Sequence, residues 1–229
     1  MGVRKMSFVV AIDGPSGTGK GTIAGLISKE MGLVNVDTGA TYRCVALEAL
    51  RRGVTLEEKE KIISLVDEIE IDIKRENENQ IILLNDEDVS REIRSKEVTG
   101  IVSQVSSIKE VRFKLVELQR RLAIGKDVIM EGRDITTYVF PNADVKIYLD
   151  AEENERAKRR YKENMEKGID MTFEEVLQNV KMRDKNDREK EIGALKIADD
   201  AIYLDTTEMT IEEVKEKVKE IILSKKERK

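Results

Sequence analysis

The sequence predicts an α/β chain in which a parallel sheet flanked by helices carries a small antiparallel insert. Three observations predict it. An apolar, β-branched run from Phe8 to Ile12 breaks into a glycine-rich loop, GPSGTGKGT, and then into a helical pattern at Ile23, Ala24, Ile27 and Met31. Short apolar runs alternate with amphipathic helical stretches along most of the chain, as in sheets whose strands are joined by crossover helices. From residue 69 the period changes to two, with Ile69, Ile71 and Ile73 alternating with Glu70, Asp72 and Lys74, the pattern of a half-exposed strand.

Taken in order, the first strand is followed by a helix over 20–31 that Gly32 closes. Residues 33–36 make a short strand, Asp37-Thr38-Gly39 a turn or N-cap, and 40–52 a helix ending at Gly53. Thr55 and Glu58 stand in capping-box spacing ahead of a helix over about 56–67. The insert, about 69–90, pairs strands at 69–73 and 81–84 around the polar turn RENENQ, with a second turn at 85–88. Residues 91–124 read as helix, interrupted near 99–107. Strands at 127–131 and 145–149 flank Gly132-Arg133-Asp134 and the Pro141 turn. Helices follow at about 152–166 and, behind Thr172 with Glu175 in box position, at about 172–190. A last strand at 201–205 precedes a helix over 211–225 that starts at Thr210 with Glu213, and the KKERK tail is expected to fray. No repeat or long linker divides the chain, so a single domain over 1–229 is expected.

Composition narrows the classes. Charged residues make up 38% of the 229 with both signs interspersed, and the net charge of −5 argues against a nucleic-acid-binding protein. The basic run Lys158-Arg159-Arg160 is flanked by Glu152, Glu153, Glu155 and Glu163, which suits a solvated helix face. A single cysteine, Cys44, excludes an internal disulfide and fits a reducing cytoplasm. No run reaches transmembrane length and the N-terminal apolar run has no cleavage site, so a cytoplasmic, membrane-free protein is the expectation; a monomer is expected too, although the sequence does not give the oligomeric state. There is no histidine. Ser-His-Asp and Cys-His catalysis and histidine metal sites are thereby removed.

The glycine loop supplies the chemistry. Gly14, Gly17, Gly19 and Gly21 let the backbone turn tightly and aim its N–H groups inward, making an anion nest at a helix N-terminus. Lys20 adds a full charge suited to the outer phosphates of a triphosphate. The hydroxyl that usually follows this lysine comes one place late, at Thr22, so Thr22 and, at a strand end, Glu131 are the candidate metal contacts. For Glu131 a capping or solvated carboxylate is the equal alternative, and Tyr42 is a nucleotide contact or a core residue. Eight arginines could meet phosphate: Arg43, Arg112, Arg133, Arg156, Arg159, Arg160, Arg183 and Arg188. Arg43 and Arg133 stand out because each follows a strand end, where ligands of open parallel sheets collect. Without an imidazole, an acceptor that is itself a phosphate is favoured, because its second pKa near ~6 leaves it largely ionised and no base is needed. Positioning, Mg²⁺ and arginines then supply the catalysis.

GPSGTGKGT, DTGATYR, the Ser103–Val105 SQV with Val111-Arg112, EGRDITTYVFP, KIYLDA and the RD…D segment from Arg183 to Asp187 together resemble the bacterial cytidylate kinases, in order over nearly the whole chain. The resemblance implies a P-loop nucleoside monophosphate kinase fold, with a monophosphate-binding lobe at about 37–111 and a lid at about 154–190. It implies transfer of a phosphoryl group from ATP to CMP or dCMP with Mg²⁺. Gly14, Pro15, Ser16, Gly17, Thr18, Gly19, Lys20, Gly21 and Thr22 would hold ATP, and Arg156, Arg159 and Arg160 would belong to the lid over it. Asp37, Thr38, Tyr42, Arg43, Glu131 and Arg133 would serve the acceptor. Ser103, Arg112 and Asp134 would contact the cytosine, with Asp134 accepting from its exocyclic amine. Arg183 and Asp187 would lie near sugar and phosphates, and Lys20, Arg133, Arg159 and Arg183 would act on the transferred group. Two departures stand out: Lys190 replaces a usual arginine, leaving Lys190 or Arg188 as the later phosphate contact, and Ala194 replaces a usual proline. A kinase for UMP or an alcohol-bearing metabolite, and a nucleotide-dependent switch, are the alternatives, although no Asn-Lys-x-Asp guanine-reading segment is present.

Overall fold

The structure, a computed structural model, describes residues 8–76, 79–166 and 168–227. The chain divides into two compact units, one of 1–34 with 125–229, the other of 35–124.

The first unit holds the parallel sheet. Its elements are β1 (Val9–Asp13), α1 (Lys20–Met31) and β2 (Val34–Asp37), which runs on into the second unit. In the second unit come α2 (Thr38–Arg51), α3 (Lys59–Glu68), β3 (Ile71–Glu76), β4 (Asn79–Leu84), β5 (Glu87–Asp88), a 3₁₀ turn at Glu92–Arg94, α4 (Lys96–Val105) and α5 (Lys109–Leu122). The chain returns as β6 (Val128–Gly132), a π-helical turn at Ile135–Val139, β7 (Val145–Asp150), α6 (Glu153–Glu166), α7 (Phe173–Glu189), β8 (Ile202–Asp205) and α8 (Ile211–Lys226).

Strand order in the large sheet is β2-β6-β1-β7-β8, and β1 pairs in parallel with both β6 and β7. Every residue of β1 is buried, which suits the innermost strand of a sheet covered on both faces. The register sets Asp13 opposite Gly132 and Tyr148. The loop leaving β1 therefore emerges between the C-terminal ends of its two neighbours, beside Arg133. Its core runs from Ile12, Ile129 and Ile147 on the strands to Ile23 and Ile27 of α1 and Val218 of α8. Helix α8 opens with the Thr210/Glu213 capping box that its spacing predicts. A separate small cluster joins α6 to α7 through Ala157, Val176 and Val180, with Tyr161 and Phe173 edge to face at 6.1 Å.

The second unit has its own core, in which Ile82 and Leu84 of the small sheet meet Val45 of α2 and Leu115 of α5. Its sheet is antiparallel in the order β3-β4-β5, as the two-residue period predicts. Asn85 and Asp86, both at positive φ, make the two-residue turn between β4 and β5.

Several boundaries differ from expectation. Strand β3 reaches Glu76 and β4 begins at Asn79, so most of the expected RENENQ turn is strand; residues 77–78 lie outside the described residues. The helix expected from 56 begins at Lys59, because Glu58 turns its carboxylate back onto the Thr55 N–H and serves as N-cap itself. The break expected near 99–107 falls at 106–108. Val98, Val102 and Val105 form a buried stripe that carries α4 through the polar stretch. Lys225 and Lys226, expected to fray, belong to α8, and 228–229 lie outside the described residues. Among the described residues no helix is long and apolar enough to cross a membrane.

Candidate active site

The loop after β1 is shaped by its neighbours. A Cβ on Gly14 would sit 2.0 Å from the Leu149 carbonyl oxygen, and one on Gly17, where φ is +83°, would sit 2.9 Å from the Arg156 carbonyl oxygen. Only glycine lets the chain pass so close to β7 and α6. Gly19 caps α1 through its backbone, and Lys20 opens that helix. The Lys20 ammonium is buried and donates to the Pro15 carbonyl at 2.7 Å and to Thr18 Oγ1 at 3.2 Å, while Thr18 Oγ1 donates to the same carbonyl at 3.1 Å. Burial, reinforced by Arg133, pulls the Lys20 pKa down to about 7 against Glu131, Asp13 and Asp187, which pull it up.

Beside the loop, Arg133 donates from Nε to Asp187 at 2.8 Å and from Nη1 to the Gly132 carbonyl at 3.2 Å. The other Asp187 oxygen takes Lys190 Nζ at 2.7 Å. Burial alone would raise the Asp187 carboxyl, but Arg133 and Lys190 hold it well below the usual carboxylate range. Lys190 therefore joins the cluster that contains Arg133, whereas Arg188 is exposed. Arg183, half-buried one turn before Asp187, adds to the positive field on that carboxylate. Glu131 lies against Gly21, with Oε1 3.2 Å from where a Cβ would be, and Thr22 is exposed on the first turn of α1.

Two carboxylates at the root of this site have no role assigned in the sequence reading, although Asp184 lies in the RD…D segment. Asp13 accepts from the N–H groups of Ile135 at 2.9 Å and Thr136 at 2.7 Å and from Thr136 Oγ1 at 2.6 Å. It ties the end of β1 to the turn that follows Asp134, itself buried. Burial lifts the Asp13 carboxyl to about 6, with the Thr136 and Ile135 hydrogen bonds opposing. Asp184 accepts from the Ser16 N–H at 3.3 Å and pairs with Arg156 at 2.6 Å. The available signal was an ionisable residue directly between the apolar strand and the first glycine for Asp13, and one next to Arg183 for Asp184.

The three expected lid arginines all make contacts within the protein. Arg156 is buried, donating to the carbonyls of Ala151 at 2.8 Å and Ser16 at 3.0 Å, and so braces the loop. Arg159 spends its guanidinium on the Thr206 hydroxyl and carbonyl, at 3.2 and 2.6 Å, and on the Thr207 carbonyl. Arg160 pairs with Glu163 on its own helix at 2.7 Å.

The second unit gathers the other candidates. Asp37 caps α2 by accepting from the Ala40 N–H, and Thr38, buried in the first turn, accepts from Thr41 Oγ1. Tyr42 is buried, and the Arg112 guanidinium stacks over its ring at 5.3 Å. Arg112 is also buried and donates to the Ser106 carbonyl at 3.0 Å. Ser106 and Ser107 hydroxyls both bond the Ser103 carbonyl, while the Ser103 hydroxyl oxygen is buried with no protein hydrogen-bond partner. Arg43 does not join this group, since it donates to the Ile93 carbonyl and Thr99 Oγ1 at 2.8 and 2.9 Å.

The family model for cytidylate kinase matches residues 10–224. The chain belongs to the cytidylate kinase family. It is 48% identical over 212 residues to a cytidylate kinase of Caldicellulosiruptor saccharolyticus, an alignment covering 93% of this chain and 94% of that protein. It is 47% identical over 216 residues to one of Lactobacillus johnsonii, with 94% of each chain covered, and 44% identical over 214 residues to one of Bacillus anthracis, with 93% and 95% covered. Among solved structures, an uncharacterised protein from Eubacterium ventriosum shares the fold at a TM-score of 0.54 and 10% identity, covering 96% of this chain and 99% of that one.

Proposed function

We propose that this chain transfers the γ-phosphoryl group of ATP to CMP and dCMP, giving CDP and dCDP with Mg²⁺ as the divalent ion. The observation that carries the reading is the register that sets Asp13, at the root of the glycine loop that holds Lys20, opposite Gly132 and so beside Arg133, within a family of cytidylate kinases. Lys20 and the loop N–H groups hold the donor phosphates, and Arg133, with Arg183 and Lys190 around Asp187, neutralises charge on the acceptor phosphate and the group in transfer. A phosphate acceptor needs no base at neutral pH, which suits a chain without histidine.

For the base, the residues in support are Ser103, whose hydroxyl oxygen is buried without a protein partner, Arg112 and Asp134. A buried hydroxyl left unbonded by the protein is costly unless a ligand completes it. Asp134 accepts from the cytosine amine, and a uracil carbonyl at that place is repelled. Asp37, Thr38, Tyr42 and Arg43 are the further residues assigned to the acceptor.

Magnesium fits the residues present. It takes few protein ligands and completes its shell with water and substrate phosphates, and the loop region offers the exposed Thr22 hydroxyl and the Glu131 carboxylate, which lies against Gly21. When bound it supplies positive charge to the donor phosphates. The single buried cysteine fits a cytoplasmic setting.

The test is a coupled assay of ATP against CMP, dCMP, UMP, AMP and GMP. Turnover of CMP and dCMP above the rest is expected, and a preference for any other acceptor refutes the reading. Asp134→Ala is expected to cut kcat/KM for CMP about 100-fold while moving the KM for ATP by less than about threefold. Equal damage to both substrates contradicts the assigned role.

A further inference from the structure

Among the described residues of the first unit, the ion pair of Arg156 with Asp184 has both side chains almost wholly removed from water, at 2% and 1% exposure. Such a pair is weak evidence for stability, because taking two charges out of water costs about as much as their attraction returns. Its placement is more informative than its energy. Arg156 Nη1 donates to the Ser16 carbonyl at 3.0 Å, and Asp184 Oδ1 accepts from the Ser16 N–H at 3.3 Å. The backbone N–H and carbonyl of one loop residue are thus held by the two members of one pair. A third anchor comes from Arg156 Nε, which donates to the Ala151 carbonyl at 2.8 Å and fixes the guanidinium plane. The next residue, Gly17, runs so close to the Arg156 backbone that a Cβ there would meet its carbonyl oxygen at 2.9 Å.

We propose that Arg156 and Asp184 are positioning residues for the donor site: by gripping the two peptide groups that flank Ser16 they set the direction of the loop N–H groups from Gly17 to Lys20, and so the affinity for ATP phosphates. The inference rests on the ATP half of the proposed function. Phosphate binding by a backbone nest depends on several N–H groups converging on one point, so a peptide free to rotate at the loop's start misaligns those after it. Arginine is required because its planar fork reaches two carbonyls and a carboxylate together, which an ammonium cannot do.

The experiment compares Arg156→Lys with the double variant Arg156→Met/Asp184→Leu. ATP affinity is measured by titration calorimetry without acceptor, and thermal stability and the KM for CMP are measured separately. Arg156→Lys keeps the charge but loses the fork, and is expected to weaken ATP about tenfold while the KM for CMP stays within about twofold, the loss of a hydrogen bond to a charged group. The double variant removes both buried charges at once, so it restores stability relative to Arg156→Lys, yet its ATP affinity stays low. A double variant with wild-type ATP affinity overturns the proposal. So does an Arg156→Lys protein that loses ATP and CMP alike in step with its stability. If the double variant does not fold, Arg156→Lys decides alone. Absence of CMP turnover by the unaltered protein would count against the acceptor assignment only, because the calorimetric comparison uses ATP by itself.

Discussion

At the scale of single residues, Lys20 is set between opposing forces. Burial and Arg133 pull its pKa from 10.5 to about 7, while Glu131, Asp13 and Asp187 resist. Phosphate oxygens placed against the ammonium favour its charged form and move that value back up. At about pH 8, between the lowered value and the ordinary one, ATP binding is therefore expected to take up as much as about one proton. Calorimetry in buffers of differing ionisation enthalpy reads the uptake directly. No uptake, or the same uptake in Lys20→Arg, contradicts the lowered pKa. The lysine was legible from the spacing of the glycines, since the motif itself requires a cation there. Asp184 and Arg156 were not legible as a pair. Their contacts to Ser16 span 168 and 140 residues of sequence, and in a chain that is 38% charged nothing marks these two as buried.

Elements show where local pattern suffices and where packing overrides it. The capping boxes at Thr172/Glu175 and Thr210/Glu213 form as their spacing predicts, because both partners lie within one helical turn. Replacing Thr172 by Ala is expected to lower stability by about 1 kcal/mol, measured by chemical denaturation, and an unchanged midpoint would deny the cap any weight. Helix α4 is the opposite case, its polar residues resembling a break until Val98, Val102 and Val105 are buried together. The glycine loop divides likewise. A Cβ on Gly14 meets a backbone carbonyl at 2.0 Å that cannot yield, whereas one on Gly21 meets only the end of the Glu131 side chain at 3.2 Å. Gly14→Ala is expected to destabilise by more than about 3 kcal/mol. Gly21→Ala is expected to leave stability unchanged or raised by about 1 kcal/mol, since alanine favours the helix, and to raise the Mg²⁺ concentration needed for half-maximal rate by displacing Glu131. Similar stability in the two variants would contradict the packing difference.

The whole molecule carries two cores, and the sequence announced only the change of period between them. The parallel sheet was readable from strand–helix alternation, but strand order and the extent of each unit depend on contacts between residues far apart in the chain. Strand β1, for example, pairs with β6 and β7, more than a hundred residues away. Ile82, 1% exposed, belongs to the core built from residues 35–124, and Ile147, fully buried, to the core under the parallel sheet. Truncating either removes similar apolar volume, with a typical cost of about 2–5 kcal/mol. Stability is not uniform across a structure, and cooperative units open separately when each has its own core. Ile82→Ala is accordingly expected to lower amide protection in β3, β4, α2 and α5 well before β1, β6 and β7, and to raise the KM for CMP more than that for ATP. Ile147→Ala is expected to reverse both orders. Protection lost evenly across the chain in either variant would mean that the two cores melt as one, and that the division into units has no energetic counterpart.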